Sequence, residues 1–365
     1  MEKYNFINLS KEKWSNPRRA RKQLLFEALL TQPAVQEVLY VDPPDHFGWT
    51  HIKPLRDLRG MRICERGYFL RGERFASIRA INRWTVYLAM RKALKTAAQW
   101  HTVFYNPWDL CLAKFLSPYG PILYDWTEDW AVYHESTALV FQQRAAIDMA
   151  SGIIAATENL ADRARELSKD TKHILFLPNA TAWEPIESQE CPQDMMHISS
   201  PRIGYIGHLG PWFDKDLVLA LSRARPEWQW VMVGYADGTL NEFFQDSKNI
   251  HLLGRRPFTK LQSYMAQCEV LVAPYRENIE GDSSKLYDYL TLGSPIISTT
   301  MTTAKRLQPH VRMASGVESW LHALEQALGE NDPAAREARH QVSLQHTWDL
   351  RAATLLEWLD GLGNA

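Results

Sequence analysis

The sequence predicts an α/β protein made of two doubly wound, Rossmann-like domains. Three observations carry this expectation. Short apolar runs alternate with longer helical patterns, the alternation occurs twice, and a Pro-, Ser- and acid-rich stretch without periodicity (residues 180–201) lies near the middle of the chain. A length of 365 residues suits two domains, at roughly 100–200 residues each. A content of 45% hydrophobic and 23% charged residues is an ordinary globular mix, enough to bury two cores.

Taken in chain order, the predicted strands of the first half are residues 38–41, 102–105, 122–124, 153–156 and 174–177. Helical patterns cover 19–30, 83–99 and 137–150. In the second half the strands are 203–206, 230–233, 250–253, 270–273 and 296–298, with helices at 216–223, 260–266 and 284–292. Residues 334–362 read as one long helical pattern with a break near Thr347, longer than the second sheet needs. The resulting division is a first domain over residues 1–182, a linker over 183–200 and a second domain over 201–347. The terminal helix, 348–365, returns to the first domain.

The formal net charge of −1 hides an asymmetry. Residues 1–120 hold 20 Lys and Arg against 10 Asp and Glu, whereas the remainder holds 21 against 32. The basic half suits either a plain solvated surface or an anionic partner, such as a membrane or a phosphate-bearing acceptor. No nucleic-acid motif accompanies it, so no nucleic-acid partner is expected. Cys64, Cys111, Cys191 and Cys268 are widely spaced, which argues against a disulfide framework or a zinc site and fits a reducing compartment. The N-terminal stretch is polar and no long apolar run exists, so the expected location is cytoplasmic, with peripheral attachment to the inner face of the plasma membrane as an option.

The richest segment is residues 270–298, VLVAPYRENIEGDSSKLYDYLTLGSPIIS. A buried strand leads to Tyr275 and a polar loop, and Ser283 and Ser284 then open a helix that stops at Gly293. Ligands of doubly wound sheets sit beyond the carboxyl ends of the strands. A helix start there offers free N–H groups to a diphosphate, Lys285 adds a charge, and Asp288 lies one turn on along the same face, placed to hold ribose hydroxyls. The spacing of Glu280, seven residues, Asp288 and then Gly-Ser-Pro resembles the donor-site signature of the retaining GT-B glycosyltransferases of family four. Lys285-Leu286-Tyr287-Asp288-Tyr289-Leu290 is similar to the version carried by polysaccharide-assembly members. The resemblance implies that Ser284, Lys285 and Leu286 meet the donor diphosphate, Asp288 the ribose, and Glu280 the sugar or diphosphate. Asp288 stands where the usual residue is Glu, one methylene shorter.

Two further turns resemble the same family. The strand at 203–206 runs into Gly207-His208-Leu209-Gly210, where glycine lets backbone approach a phosphate. Members often place Arg after the first Gly and Lys some six residues later; here His208 and Asp214 occupy those places. The turn Leu253-Gly254-Arg255-Arg256-Pro257 corresponds to the one that holds the nucleotide base, with Arg255 and Tyr275 as candidate donor contacts.

The acceptor side of the reaction calls for a base or an orienting group. Tyr124-Asp125-Trp126-Thr127-Glu128-Asp129-Trp130 follows a strand and is similar to an acidic stretch of bacterial polysaccharide glycosyltransferases. This makes Asp125 the first candidate, Asp129 the second and Glu128 the third, against an exposed acidic loop as the plain alternative. The twelve histidines show no metal-ligand spacing, and Asp214-Lys215-Asp216 reads as a helix start, so no required metal is expected. The resemblance implies a GT-B architecture, with the two domains facing across a cleft and the terminal helix crossing back to the first. It also implies a metal-independent transferase. The donor would be a nucleoside-diphosphate sugar, with UDP the expected nucleotide and no other cofactor, and the acceptor a lipid-linked or polysaccharide one in bacterial surface-polysaccharide synthesis. Trp14, Phe26 and Trp49 are candidate aromatics for holding the basic domain at a membrane. The competing readings are a silent partner subunit that only binds nucleotide-sugar, and an epimerase of the same fold.

Overall fold

The computed structural model describes residues 4–16, 19–72, 75–94, 99–128, 137–169, 172–186, 189–236, 238–277 and 281–363. The chain forms two compact units, Met1–Pro178 with Trp348–Ala365, and Asn179–Thr347.

In chain order the first unit contains β1 (Tyr4–Leu9), α1 (Arg21–Thr31), β2 (Val35–Val41), β3 (His46–Phe47), β4 (His51–Pro54), β5 (Met61–Glu65) and β6 (Gly67–Tyr68). Then come α2 (Ala76–Ala93), β7 (Trp100–Phe104), α3 (Leu110–Leu116), β8 (Ile122–Trp126), α4 (Thr137–Met149), β9 (Gly152–Ala155), α5 (Glu158–Ser168) and β10 (His173–Phe176). The sheet order is β10-β9-β8-β7-β1-β2-β5-β4. Its strands are parallel except β4, which runs antiparallel to β5, while β3 and β6 pair separately. Residues 38–41 had been read as the opening strand, but β1 precedes them and lies mid-sheet, buried at all six positions. Its two asparagines hid it. Buried amides need partners, and the NH2 groups of these two have them: Asn5 Nδ2 donates to the Gln99 carbonyl and Asn8 Nδ2 to the Lys22 carbonyl, each at 3.2 Å. Helix α2 also begins seven residues before the predicted 83 and ends at Ala93. Phe26, expected at a membrane, is instead fully buried and meets Phe6 edge-on at 5.9 Å.

The second unit runs β11 (Arg202–Ile206), α6 (Lys215–Ala224), β12 (Gln229–Val233), α7 (Gly238–Phe243), β13 (Ile250–Gly254), α8 (Leu261–Met265) and β14 (Val270–Ala273). It continues through α9 (Ser284–Leu290), β15 (Ile296–Thr299), α10 (Thr302–Arg306), β16 (Val311–Ala314), α11 (Gly316–Leu328) and α12 (Pro333–Leu344). Its sheet is parallel in the order β13-β12-β11-β14-β15-β16. Of the stretch expected as a linker, Met195 and Ile198 are buried in the core of this unit, and Trp183, Ile186 and Cys191 pack against it.

The last helix, α13 (Trp348–Gly363), belongs to the first unit. It packs against α1 and buries Ala352, Leu355, Leu356 and Leu359. The Tyr4 hydroxyl donates to Asp360, and the Trp358 ring lies where a Cβ on Gly152 would intrude at 2.5 Å. Among the described residues no helix is long and apolar enough to cross a membrane.

Each sheet reverses its direction of winding at one point, between β1 and β7 in the first unit and between β11 and β14 in the second. Such switch points open a crevice at the carboxyl edge of the sheet. In the second unit that edge carries Gly207 and Tyr275.

Because α13 seals the first unit alone, Leu355→Ala should destabilise that unit by about 2–5 kcal/mol and leave the second unchanged. Hydrogen exchange read separately for the two units checks this.

Candidate functional site

Strand β11 ends at Gly207, whose φ is 147°. A Cβ there would lie 2.0 Å from Cε of Lys285, so the lysine stem crosses directly over the glycine. A Cβ on Gly234, at the end of β12, would meet the Gly207 carbonyl oxygen at 1.8 Å. Two glycines thus let two strand ends and one lysine share a space that side chains would fill. The Lys285 ammonium lies 5.5 Å from the Tyr205 ring centre and 5.7 Å from that of Tyr275, held between two aromatic faces. Tyr275 is itself fixed by a 3.0 Å bond between its hydroxyl and Ser283 and by its N–H donating to Thr299 Oγ1.

Asp288 stands one turn beyond Lys285. The residue keeps some exposure, yet protein surrounds its carboxyl group closely; burial pushes it up to about 7, against the opposing pull of a bond from Thr181 and the charge of Lys285. Ser284 is exposed at the helix start. Leu286, expected to meet the diphosphate, has its side chain fully buried in the core, and its N–H points back to the Ser283 carbonyl. Its part is to anchor the helix. Glu280 lies outside the described residues.

The residue that organises this loop is one the sequence reading passed over. The Asp282 carboxylate is wholly buried. It accepts from the Asn179 N–H, from the hydroxyls of Tyr287 and Thr303 at 3.0 and 2.9 Å, and from Arg306 at 3.2 Å. The Asn179 side chain donates in return to the Asp282 carbonyl, and the Ser283 N–H donates to Thr303. The signal for it was an Asp directly before Ser-Ser at a helix start. Apart from Tyr287, five residues on, its partners are 21 to 103 residues away and leave no local pattern.

Beside Gly207 a cavity of about 240 Å³ is lined by Leu209, Gly234, Tyr235, Asn241, Gly254 and Arg255, among others. His208 packs against Trp212 and Tyr235 at 5.1 and 5.3 Å, and the Arg255 guanidinium covers the Tyr235 ring at 5.5 Å. Arg256 turns away to Asp194 at 2.6 Å and to the Tyr264 hydroxyl. The structure therefore brings Gly207, His208, Arg255, Tyr275, Ser284, Lys285 and Asp288 to one edge of one unit.

The chain is similar to several known proteins. Residues 200–329 match the family model described as Glycosyl transferases group 1. A Bacillus subtilis (strain 168) protein, TuaH, named for a glycosyltransferase role in teichuronic acid biosynthesis, is 24% identical over 159 residues, 40% of each chain. The chain thus spans less than half the length of that curated relative. Three solved structures align over nearly the whole chain. They are sucrose-phosphate synthase from Thermosynechococcus elongatus (TM-score 0.76, 12% identity, 99% of this chain and 100% of that one), Anabaena HepE in complex with UDP and glucose (0.69, 13%, 98% and 100%), and a UDP-forming trehalose-phosphate synthase from Burkholderia xenovorans (0.70, 12%, 100% and 100%). The chain has the GT-B fold.

The acidic stretch after β8 belongs to the first unit. There the structure corrects the sequence reading. Asp125 is fully buried, and both of its oxygens are held by Arg21, at 2.9 Å from Nε and 3.0 Å from the terminal nitrogen. A carboxylate so enclosed and paired does not serve as a general base, since taking a proton would leave a buried guanidinium unpaired. It fixes the start of α1 to the end of β8. Among the described residues of the stretch, Glu128 is the accessible carboxylate, half exposed and 3.1 Å from Lys11. Asp129 lies outside the described residues. The neighbouring Lys22 is buried against the Tyr105 ring, and burial followed by the charge of Lys11 lowers its pKa to about 8. His46 forms a 2.8 Å pair with Asp45, which raises its pKa.

Removing a buried partner is costlier than never having had the pair. Asp282→Ala should cost the second unit about 3 kcal/mol, near the lower end of the range for broken buried pairs because Arg306 keeps some contact with solvent. Urea unfolding followed by the tryptophan signal of this unit measures it.

Proposed function

We propose that this protein is a glycosyltransferase that moves a sugar from a nucleoside-diphosphate donor, with UDP as the nucleotide, to a lipid-linked or polysaccharide acceptor in the assembly of a bacterial surface polysaccharide. The observation that carries the reading is Lys285 laid across Gly207 at the switch point of the second sheet. There a diphosphate would meet a full positive charge and glycine backbone with no side chain between. The adjoining cavity beside Tyr235, Gly254 and Arg255 suits a nucleobase in size and in its mixture of apolar and backbone surface. Asp288, on the next turn, accepts from the ribose hydroxyls. The TuaH relative and the UDP complex of HepE support the class of donor and the polysaccharide setting.

The leaving diphosphate is stabilised without a metal ion, by Lys285 and the first-turn N–H groups of α9. On the acceptor side Glu128 takes the place first given to Asp125 as the group that orients or deprotonates the acceptor hydroxyl. Asp129 and Glu280 retain the roles that the family resemblance gives them. The basic first unit works at an anionic membrane face, where a lipid-linked acceptor would be found.

UDP at a hundredfold excess over its Kd should stabilise the protein by about 2.7 kcal/mol, with no change on adding EDTA. Lys285→Ala should weaken UDP by about 1.5–3 kcal/mol, the worth of a hydrogen bond to a charged group. The pH dependence follows from Asp288. Its folded pKa lies above the ~3.9 of an unfolded carboxyl, so the stability it contributes is full below pH ~4 and is lost as the pH rises through about 7. The ionised form is the stronger acceptor for two hydroxyls, so UDP affinity should fall as the pH drops below about 7, and this extra dependence should vanish in Asp288→Asn. Titration calorimetry at several pH values reads both effects. No stabilisation by any nucleoside diphosphate would sink the reading.

A further inference from the structure

One face of the first unit remains without a task. Of the fifteen large apolar side chains exposed among the described residues, seven fall within residues 47–84: Phe47, Trp49, Phe69, Leu70, Phe75, Ile81 and Trp84. Sequence proximity alone does not make a patch, but the packing does. Strands β3 and β6 bring Phe47 beside Tyr68 at 5.8 Å, and Trp49 meets Phe69 at 5.2 Å. Asn82 of α2 clasps this loop through both backbone groups of Leu70, accepting from its N–H at 2.7 Å and donating to its carbonyl at 2.9 Å. A groove of about 810 Å³ then runs between Trp49 and Phe69 on one wall and Thr85, Leu88, Arg91 and Lys92 of α2 on the other.

Helix α2 buries Asn82, Arg83, Val86 and Met90. Its outer stripe is Ile81, Trp84 and Leu88, at the spacing of one helical face, and it ends in exposed Arg91 and Lys92. Arg71 stands over the Phe47 ring at 4.6 Å. Over residues 46–93 the chain holds 11 Lys and Arg against 3 Asp and Glu. Exposed Trp and Phe rimmed by Arg and Lys are the composition of a surface that lies in the headgroup region of a bilayer. There the rings enter the acyl boundary and the cations meet anionic lipid. A protein partner is favoured less, because charged residues are depleted at the centre of protein interfaces and here they line the groove.

We infer that the face formed by the 46–70 loops and the outer stripe of α2 docks this protein on an anionic lipid bilayer. The inference deepens the membrane-face reading above and rests on it; it assigns the contact to Trp49, Phe69, Trp84, Arg71, Arg91 and Lys92. Trp14, named from the sequence for this task, is instead packed on Tyr40 and Arg19. The residues are exposed, so substitution leaves the fold in place.

The test is co-sedimentation of the full chain with phosphatidylcholine vesicles, with and without roughly 30% phosphatidylglycerol, an anionic lipid. The protein should pellet with the anionic vesicles alone and be released at roughly 0.5 M NaCl, where the screening length falls to a few ångströms. Trp49→Ser with Trp84→Ser, and separately Arg91→Glu with Lys92→Glu, should each lower the partition coefficient roughly tenfold or more. Both variants should keep the wild-type UDP response, which resides in the other unit. Wild-type protein that stays in the supernatant with anionic vesicles overturns the inference, as do variants that pellet like the wild type. Loss of a self-associated form in the same variants, with no vesicle binding by the wild type, would give the face to a second copy of the chain and overturn it too. A failed UDP response with vesicle binding intact would strike the donor reading and leave the lipid face standing.

Discussion

The carboxyl edge of the second sheet, at its switch point, depends on the space left by a missing side chain at Gly207. The Lys285 stem fills that space, and Gly234 stands so close to the Gly207 carbonyl that it too must lack a Cβ. From this contact the other positions follow. The stem runs between Tyr205 and Tyr275, Tyr275 holds Ser283, and the helix carrying Lys285 sets Asp288 a turn away. A charge placed by such packing needs little rearrangement to meet a phosphate, and preorganised charge is the commonest large contribution to stabilising a leaving group.

Buried carboxylates in this protein act as fasteners. Asp282 ties the residues leading into α9 to Asn179, Tyr287, Thr303 and Arg306; Asp125 ties β8 to α1 through Arg21; Asp109 takes Arg66 at 2.8 Å. In each case an acid at the carboxyl end of a strand or in a connecting loop holds a segment distant in sequence. Desolvation makes an unpaired charge in such a place costly, so each pair makes one loop geometry strongly preferred over the others. Asp288 differs. Its partners, Thr181 and Lys285, compensate its burial only in part, which leaves its pKa raised to about 7.

The sheet cores of both units were legible because parallel strands buried on two faces read as unbroken apolar runs. Each such run, from 102–105 to 296–298, falls on a strand. Tyr4–Leu9 escaped because Asn5 and Asn8 interrupt the run, and their NH2 groups donate to carbonyls the sequence gives no means of pairing with them. Lys285 and Asp288 were legible from local spacing, since i and i+3 on a helix share a face. Asp125 looked like a reagent for the same local reason: it follows a strand. Only the fold shows Arg21, 104 residues away, closing over it. Asp282 was missed for the complementary reason, its partners being nonlocal.

The chain enters the second unit at Asn179, and this entry point has a bearing on how the unit can be handled. The segment that matches the glycosyl transferase model begins at residue 200. Asn179 and Thr181, which hold Asp282 and bond to Asp288, lie upstream of it. Thr181 also receives the departing chain, its N–H donating to the His346 carbonyl at 2.8 Å. A segment excised with splice points drawn from the sequence match would lose the clasp that shapes the loop before α9. Recombination of this unit therefore calls for junctions at Pro178 and Trp348, so that the strap travels with the loop it braces.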